Sequence, residues 1–448
     1  MGKEVRFIHA ADLHLGSSLT AIGTMSPELQ GKIRRAGYTA LERVVDAVLK
    51  HKVDFVVFSG DIYDREAHSV YANQYFVEQM ARLDKRGTPV FVIYGNHDPL
   101  GTGPEFFQLP PNVHIFGSEK VETREVKDQA GRLVARVLGQ SYRNPSESRK
   151  MYQSFSTPDN HVVNVGLLHT GLNPSANSYV PCTLTDLTSQ PGIDYWALGH
   201  IHRPSIRNKT RPVIAYPGIP QGRDQGEPGV GGCFLVTVQP GQPARVQFIP
   251  TSSVVWLTME VPIDNTVVNV SDLEELILAH GQAVLNNALH VPCDLELGPG
   301  ENLAFDGYVV RWVLTGRGKV HQEIISGNEP EVATLLTERL RQQLGRGRPF
   351  LWTETVRFKT AAPVPRLESL LKQDMVLKTL FETSEEIKSN AELRKQAVKA
   401  MGRVWFLQKD PEDTRPDAFA ITDEVFKALV EKARYLVLER IVEGREIR

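Results

Sequence analysis

The chain predicts an α/β fold: a two-sheet sandwich flanked by helices, then a small α+β domain and a helical C-terminal tail. Three observations predict it. The first hundred residues alternate apolar runs with amphipathic helical segments, and short strands follow at close spacing. Beyond Pro250-Thr-Ser-Ser253, longer strands alternate with helices. After Ala361-Ala-Pro-Val-Pro365, which reads as a linker, only helical periodicity continues.

Val5–Ala10 reads as a strand. Ser26-Pro27 supplies an N-cap and a proline at the first helical position, opening a helix whose apolar residues Leu29, Ile33, Leu41, Val44, Val45 and Val48 keep helical spacing. Val53–Phe58 is a second strand, Val70 to about Arg86 a second helix closed by Gly87, and Pro89–Tyr94 a third strand. This βαβαβ order is that of a layered α/β domain. Strands at Asn112–Phe116, Leu133–Leu138, His161–Leu168, Tyr195–Leu198, Val213–Tyr216, Gly232–Val238 and Ala244–Ile249 supply a second sheet stacked on the first.

The pattern then gives strands at Val254–Ile263, Tyr308–Leu314 and Leu351–Phe358, helices at Ser271–Leu289 and Glu329–Leu344, and a hairpin turn at Gly316-Arg-Gly-Lys319. The tail reads as helices at Leu367–Glu386, Ala391–Leu407 and Thr422–Val442. Three domains are expected, at 1–252, 253–360 and 361–448, as 448 residues exceed one ordinary core.

Charged residues (23%) and hydrophobic residues (41%) are in globular proportion, which excludes a disordered chain. A net charge of −2 gives no argument for nucleic-acid binding, so phosphate affinity must come from local clusters or bound cations. Arg34-Arg35, Arg203 to Arg211 and Arg339 to Arg348 are the basic clusters, the second tethered to candidate ligands. Cys182, Cys233 and Cys293 lack CxxC spacing and suit buried thiols in a reducing compartment. With no secretion signal at Val5-Arg-Phe-Ile-His-Ala-Ala11 and no apolar stretch of membrane-spanning length, a cytoplasmic protein is expected.

The chemistry lies at strand ends. The first strand ends in Ala11-Asp12-Leu13-His14, the second in Ser59-Gly60-Asp61 and the third in Gly95-Asn96-His97-Asp98. Later strands end in His169 and in Gly199-His200-Ile201-His202. One satisfied core histidine is ordinary; five strands each delivering carboxylate, imidazole or amide groups need another explanation. In open α/β sheets ligands bind beyond the carboxyl ends of strands. Asp, His and Asn without Cys suit borderline-hard divalent ions such as Mn²⁺, Fe²⁺ or Zn²⁺. In extended chain, Asp-x-His and His-x-His each put both side chains on one face. Asp12, His14, Asp61, Asn96, His169, His200 and His202 are too many donors for one ion and suit two that share Asp61. Ions about 3.5–4 Å apart would activate a hydroxide and clamp the oxygens of an in-line phosphoryl displacement. His97 is left over for the chemistry.

This ordered set resembles the five motifs of the calcineurin-like metallophosphoesterases over roughly residues 1–250. The resemblance implies a two-sheet metallophosphoesterase sandwich in which Asp12, His14, Asp61 and His202 hold one metal and Asp61, Asn96, His169 and His200 the other. It implies His97 as general acid or stabiliser of the leaving oxygen, with Asp98 orienting its ring. Ala10-Ala-Asp-Leu-His-Leu-Gly16 and Tyr216-Pro-Gly-Ile-Pro-Gln221 are similar to the SbcD-type DNA repair exonucleases, in their YhaO-like branch. That similarity implies DNA as substrate, residues 253–360 as a DNA-capping domain, and the tail as the docking segment for an SbcC-like coiled-coil ATPase; of the ions that the donor types suit, manganese is expected ahead of iron or zinc, and a homodimer stays open. The apolar stripe Phe426, Leu429, Val430, Ala433, Leu436, Val437 and Ile441 is the part of the tail expected to dock. The chain departs from the branch at Asp64 and Arg65, where some of its nucleases carry a histidine; His68 is the substitute, and Arg65, His68 and Arg203 are candidate substrate contacts. GDIYDRE is also similar to protein Ser/Thr phosphatases, although Glu66 and the GNHD ending depart from them. A phosphatase or phosphodiesterase on a protein or nucleotide, and a catalytically silent metal-binding scaffold, are the alternatives.

Overall fold

A computed structural model describes the chain apart from residues 1–2, 20–22, 24, 65–68, 102–106, 158–160, 173–178, 287–294, 364–370, 372–373, 402–404, 408–418, 422 and 447–448. Arg65, His68 and Cys293 therefore lie outside the described residues. The chain divides into two compact units, Met1–Ala362 and Pro363–Arg448.

The first unit opens with β1 (Val5–Ala10), α1 (Pro27–His51), β2 (Phe55–Ser59), α2 (Val70–Asp84) and β3 (Val90–Ile93). Ser26 caps α1 by accepting from Leu29 N–H, with Pro27 at the first helical position. There follow β4 (Val113–Ile115), β5 (Glu122–Lys127), β6 (Leu133–Gly139), β7 (Val163–His169), α3 (Leu184–Thr188), β8 (Tyr195–Gly199), β9 (Ser205–Asn208), β10 (Val213–Tyr216), β11 (Gly232–Val238) and β12 (Arg245–Pro250). Two sheets result, ordered β14-β12-β11-β1-β2-β3-β4 and β5-β6-β7-β8-β10-β9, with β14 at Glu296–Leu297; the strands expected at Asn112–Phe116, Gly232–Val238 and Ala244–Ile249 thus extend the first sheet, as β4, β11 and β12, and not the second.

β5 and β9 escape sequence reading because alternating charge in Glu122–Lys127 and the polar run Ser205–Asn208 carry no apolar signal; both are edge strands, where exposed polar residues are tolerated. The ligand-bearing strands β1, β2 and β3 run parallel, as do β7 and β8, and all five are buried along nearly their whole length. Continuous apolar runs are what a sheet covered on both faces requires. Phe7, Phe55, Phe91, Val165, Tyr195 and Phe234 fill the space between the sheets, with Phe7 and Phe55 stacked at 4.8 Å. Helices α1 and α2 cover the outer face of the first sheet, and Tyr142, Phe155 and Trp196 pack on the outer face of the second.

The rest of the first unit comprises β13 (Val254–Ile263), α4 (Val270–Asn286), β15 (Gly307–Arg317), α5 (Val320–Ser326), α6 (Glu329–Leu344) and β16 (Phe350–Ala361). The three long strands form a parallel sheet, β13-β15-β16, backed by its own core around Trp312, Leu273, Ile277 and Leu336. Parallel pairing corrects the hairpin reading of Gly316-Arg-Gly-Lys319: that stretch ends β15 and leads into α5, as parallel neighbours need a crossover. Trp256, Val309, Phe350 and Trp352 pack on Leu29, Ile33 and Ala36 of α1, and Arg43 donates to the carbonyls of Ser252 and Ala304.

The second unit holds α7 (Met375–Ser389), α8 (Ala391–Ala400), β17 (Trp405–Leu407), β18 (Phe419–Ile421) and α9 (Asp423–Glu446). An all-helical tail is thus corrected: the expected helix Ala391–Leu407 stops at Ala400, and Trp405–Leu407 instead pairs in parallel with Phe419–Ile421. The aromatic and β-branched side chains there suit a strand at least as well as a helix. On α9, Phe426 and Leu438 are buried while Leu429, Leu436 and Val437 are exposed. Among the described residues, no helix is long and apolar enough to cross a membrane.

His9 on β1 is fully buried between the sheets, its Nδ1 3.0 Å from Tyr195 Oη and its Nε2 3.1 Å from Leu198 O. Burial pushes its pKa from 6.5 down to about 3, against the opposing pull of the Leu198 carbonyl. The unfolded chain therefore binds a proton that the folded chain refuses, and stability falls as pH drops from 6.5 toward 3. Denaturant unfolding across that window should show wild type losing up to about 1.4 kcal/mol per pH unit more than His9→Gln. Equal slopes in the two proteins would exclude this role.

Candidate metal centre

The carboxyl ends of β1, β2, β3, β7 and β8 deliver their polar residues to one place. Among the described residues, three sets of side chains present ligating atoms within 4.8 Å of one another: Asp12, His14 and His202; His14, Asp61 and His97; Asp12, Asp61 and His169. Asn96 Oδ1 lies 3.0 Å from His169 Nε2 and 3.2 Å from His200 Nδ1. The candidate ligands and His97 thus converge, with Asp98 just behind. Arg203, one residue past His202, is exposed, whereas Arg211 is held by Asp194 at 2.7 Å.

The loops are strained where they meet. Asp12, His14, Asp61 and His200 have φ of 54°, 44°, 52° and 95°, in the left-handed region that side chains with a Cβ seldom adopt. This corrects the extended-chain account of Asp-x-His: both residues lie past β1 in turned backbone. The turns are held by Asp12 N–H donating to Gly60 O and His14 N–H to Asp61 O, each at 3.0 Å. Backbone strain of this kind gathers at functional sites, where the surrounding structure enforces it. The neighbouring glycines answer to His169. A Cβ on Gly60, itself at φ 94°, would lie 2.3 Å from His169 Nδ1. One on Gly199 would lie 1.9 Å from Ser59 O and 2.8 Å from the same nitrogen.

Among the described residues, the hydrogen bonds of Asp98 go to main chain. Its Oδ1 accepts from Gly95 N–H at 2.8 Å and its Oδ2 from Ile62 and Tyr63 N–H at 2.6 and 3.2 Å. The carboxylate ties the β3 turn to the β2 turn, since buried main-chain donors need acceptors. His97 N–H donates to Asp61 Oδ1 at 2.9 Å, and its half-buried ring stands edge-on to His14 at 4.8 Å.

The electrostatics call for positive charge. Asp12 and Asp61 are buried together, and burial pushes Asp12 up to about 6. Burial opposes ionisation of Asp61 too, but His169 and His14 hold it below the usual carboxylate range. His169 is correspondingly raised to about 9, against burial, by Asp61 and Asp12. Burial pushes His14 well below its ordinary value and His200 down to about 4. His14 Nδ1 is buried without a hydrogen-bond partner, Asp61 Oδ2 has the His169 ion pair at 3.3 Å but no well-aligned hydrogen bond, and His14 Nε2 faces His202 Nε2 at 3.2 Å. Unsatisfied lone pairs converging on two buried carboxylates are a donor set that divalent cations fit.

One participant is not legible in the sequence. Glu227 Oε1 lies 2.6 Å from His202 Nδ1, and Arg223 grips the same carboxylate. Both residues sit in the loop between β10 and β11, which offers neither strand end nor motif spacing. The nearest signal is the adjoining Tyr216-Pro-Gly-Ile-Pro-Gln221.

Residues 5–204 match the calcineurin-like phosphoesterase family. Over 255 residues, 56% of this chain, the sequence is 33% identical to the uncharacterized metallophosphoesterase YhaO of Bacillus subtilis, covering 62% of that protein. It is 25% identical over 286 residues to a component of the nuclease SbcCD of the same organism, covering 56% of this chain and 70% of that one. It is 24% identical over 220 residues to the DNA double-strand break repair protein Mre11 of Methanococcus maripaludis, covering 48% of this chain and 56% of that one. The chain thus spans well under the full length of these relatives.

The packing about His169 gives a direct test. Gly60→Ala must displace the imidazole and strain the β2 turn, with an expected cost of about 2 kcal/mol or more in denaturant unfolding. An unchanged unfolding midpoint would show that the turn has room this geometry denies it.

Proposed function

We propose, given that the chain carries a calcineurin-like phosphoesterase domain over residues 5–204, that it is a two-metal phosphodiesterase cleaving the DNA backbone. The observation that carries the reading is the set of three ligating groups, in which Asp12, His14 and Asp61 each belong to two. In this reading Asp12, His14, Asp61 and His202 hold one divalent cation and Asp61, Asn96, His169 and His200 the other. The donor set suits Mn²⁺, with Fe²⁺ or Zn²⁺ as competitors. When bound, the pair supplies Lewis acidity toward phosphoryl oxygens and lowers the pKa of water.

The protein's own groups do the rest. His97 stands at the edge of the cluster, half-buried and held through its N–H to Asp61, where its ring can protonate a departing oxygen. Asp98 acts at one remove, fixing the backbone that carries Asn96 and His97. DNA is favoured as substrate by similarity to proteins named as part of a nuclease and as a double-strand break repair protein. The exposed Arg203 and Arg207, close in sequence to the last ligand, can meet phosphates. Residues 253–360 serve as the capping domain. The exposed Leu429, Leu436 and Val437 of α9 offer apolar surface for a coiled-coil ATPase partner.

The reading is tested by Mn²⁺-dependent cleavage of a labelled DNA duplex set against release of phosphate from a phosphopeptide. Faster phosphopeptide turnover would reject DNA as the substrate. In the same assay His97→Ala should retain its metal and lose about 10²–10⁴-fold in turnover. Loss of metal would make His97 a ligand instead. Asp61→Asn should lose both ions together by elemental analysis; two ions retained per chain would refute the shared carboxylate.

A further inference from the structure

We propose that Glu227, clamped by Arg223, is a positioning residue that fixes the tautomer and aim of His202 and so sets the cation affinity of the group Asp12, His14 and His202. The inference rests on the two-metal reading above and goes beyond it by assigning a group outside the ligand set.

Glu227 is not a loose surface acid; its side chain is 13% exposed. Its Oε1 accepts from His202 Nδ1 at 2.6 Å. Arg223 Nε reaches both carboxylate oxygens at 3.1 Å, its Nη2 reaches Oε1 at 2.6 Å, and its backbone N–H donates to Oε2 at 2.9 Å. The carboxylate is thus held from behind by a planar, permanently charged fork and can point only one way. With the Nδ1 proton committed to Glu227, the lone pair of His202 lies on Nε2, the nitrogen that faces His14 Nε2 at 3.2 Å. A ligating imidazole is oriented in this manner when its second nitrogen donates to a carboxylate, which also raises its basicity.

The two halves of the centre differ in this respect. His169 is steadied through Nδ1 by the backbone carbonyl of Ser59 at 2.9 Å, and His14 Nδ1 is buried with no partner. Among these three imidazoles only His202 is backed by a carboxylate, so altering Glu227 should weaken one cation position and spare the other. Arg223 compensates the charge of Glu227, so orientation matters more than added negative charge. A glutamine, which keeps an oxygen acceptor for the Nδ1 proton, should restore much of the effect.

The test is Mn²⁺ titration of the full chain by calorimetry, with electron paramagnetic resonance of the loaded protein. Glu227→Ala should weaken one of two Mn²⁺ sites by about 10–100-fold, leaving the other unchanged. At matched Mn²⁺ the coupled two-ion spectrum should give way to a single-ion signal, and Glu227→Gln should lie between alanine and wild type. Two sites of wild-type affinity in Glu227→Ala would overturn the proposal. So would equal weakening of both sites with a lowered melting temperature of the metal-free protein, which marks a structural role. Imidazole ¹⁵N resonances of the metal-free wild type supply a check that needs no variant: His202 protonated at Nδ1 supports the proposal, and protonation at Nε2 overturns it. Wild type binding no Mn²⁺ would overturn the two-metal reading as well, which separates the two failures.

Discussion

The burial of one imidazole against three strand ends organises this molecule. His169 sits at zero exposure where the carboxyl ends of β2, β3 and β8 close on β7, accepting no more than hydrogen atoms at Gly60 and Gly199. Such an approach brings Asp61 Oδ2 within 3.3 Å of His169 Nε2 and draws Asp12 into the same pocket. Two carboxylates this deep are costly unless opposed by positive charge. The sandwich around them supplies a rigid frame that holds the carboxylates in place despite that cost: five buried strands whose positions cannot relax without opening the core between the sheets.

The site is accordingly layered. Innermost are the carboxylates and imidazoles; next come groups that hold them. Asp98 ties two turns together through main-chain donors, Tyr142 Oη donates to His169 O at 2.8 Å, and Glu227 backs His202. Asn96 Oδ1 lies between two histidine rings. These outer contacts come from several elements, so each ligand's aim is set by parts of the chain remote in sequence.

That remoteness explains what can be read from the sequence and what cannot. The strands bearing Asp12, Asp61, Asn96 and His200 are legible because buried parallel strands are unbroken apolar runs, and a polar group directly after such a run stands out. β5 and β9 are not, since an edge strand such as Glu122–Lys127 answers to solvent as much as to the core. Asp-x-His spacing points to convergence, but the convergence arises from left-handed backbone at Asp12 and His14 and not from an extended strand. The partners of Asp98 escape sequence reading because main-chain donors leave no trace in side-chain patterns. Glu227 is invisible for a related reason: an acid in an irregular loop acquires meaning only through the nitrogen it faces. In the tail, Trp405–Leu407 continues a helical pattern locally and is diverted by pairing with Phe419–Ile421.

The pairing of β1 carries a consequence for how the chain acquires its structure. β1 lies at the middle of its sheet, parallel to β2 on one side, yet its other neighbour is β11, with Val5 opposite Val238. During synthesis β1 must wait for β11, Gly232–Val238, before its second edge is covered. Until then an apolar edge is open to wrong partners, as is usual when contacts are distant in sequence. Helix α1 packs on one face of that strand but leaves its edge to β11. Full pairing of the strand that leads to Asp12 therefore requires residues near 238, and a chain stopping short of them would carry that strand with one edge unpaired.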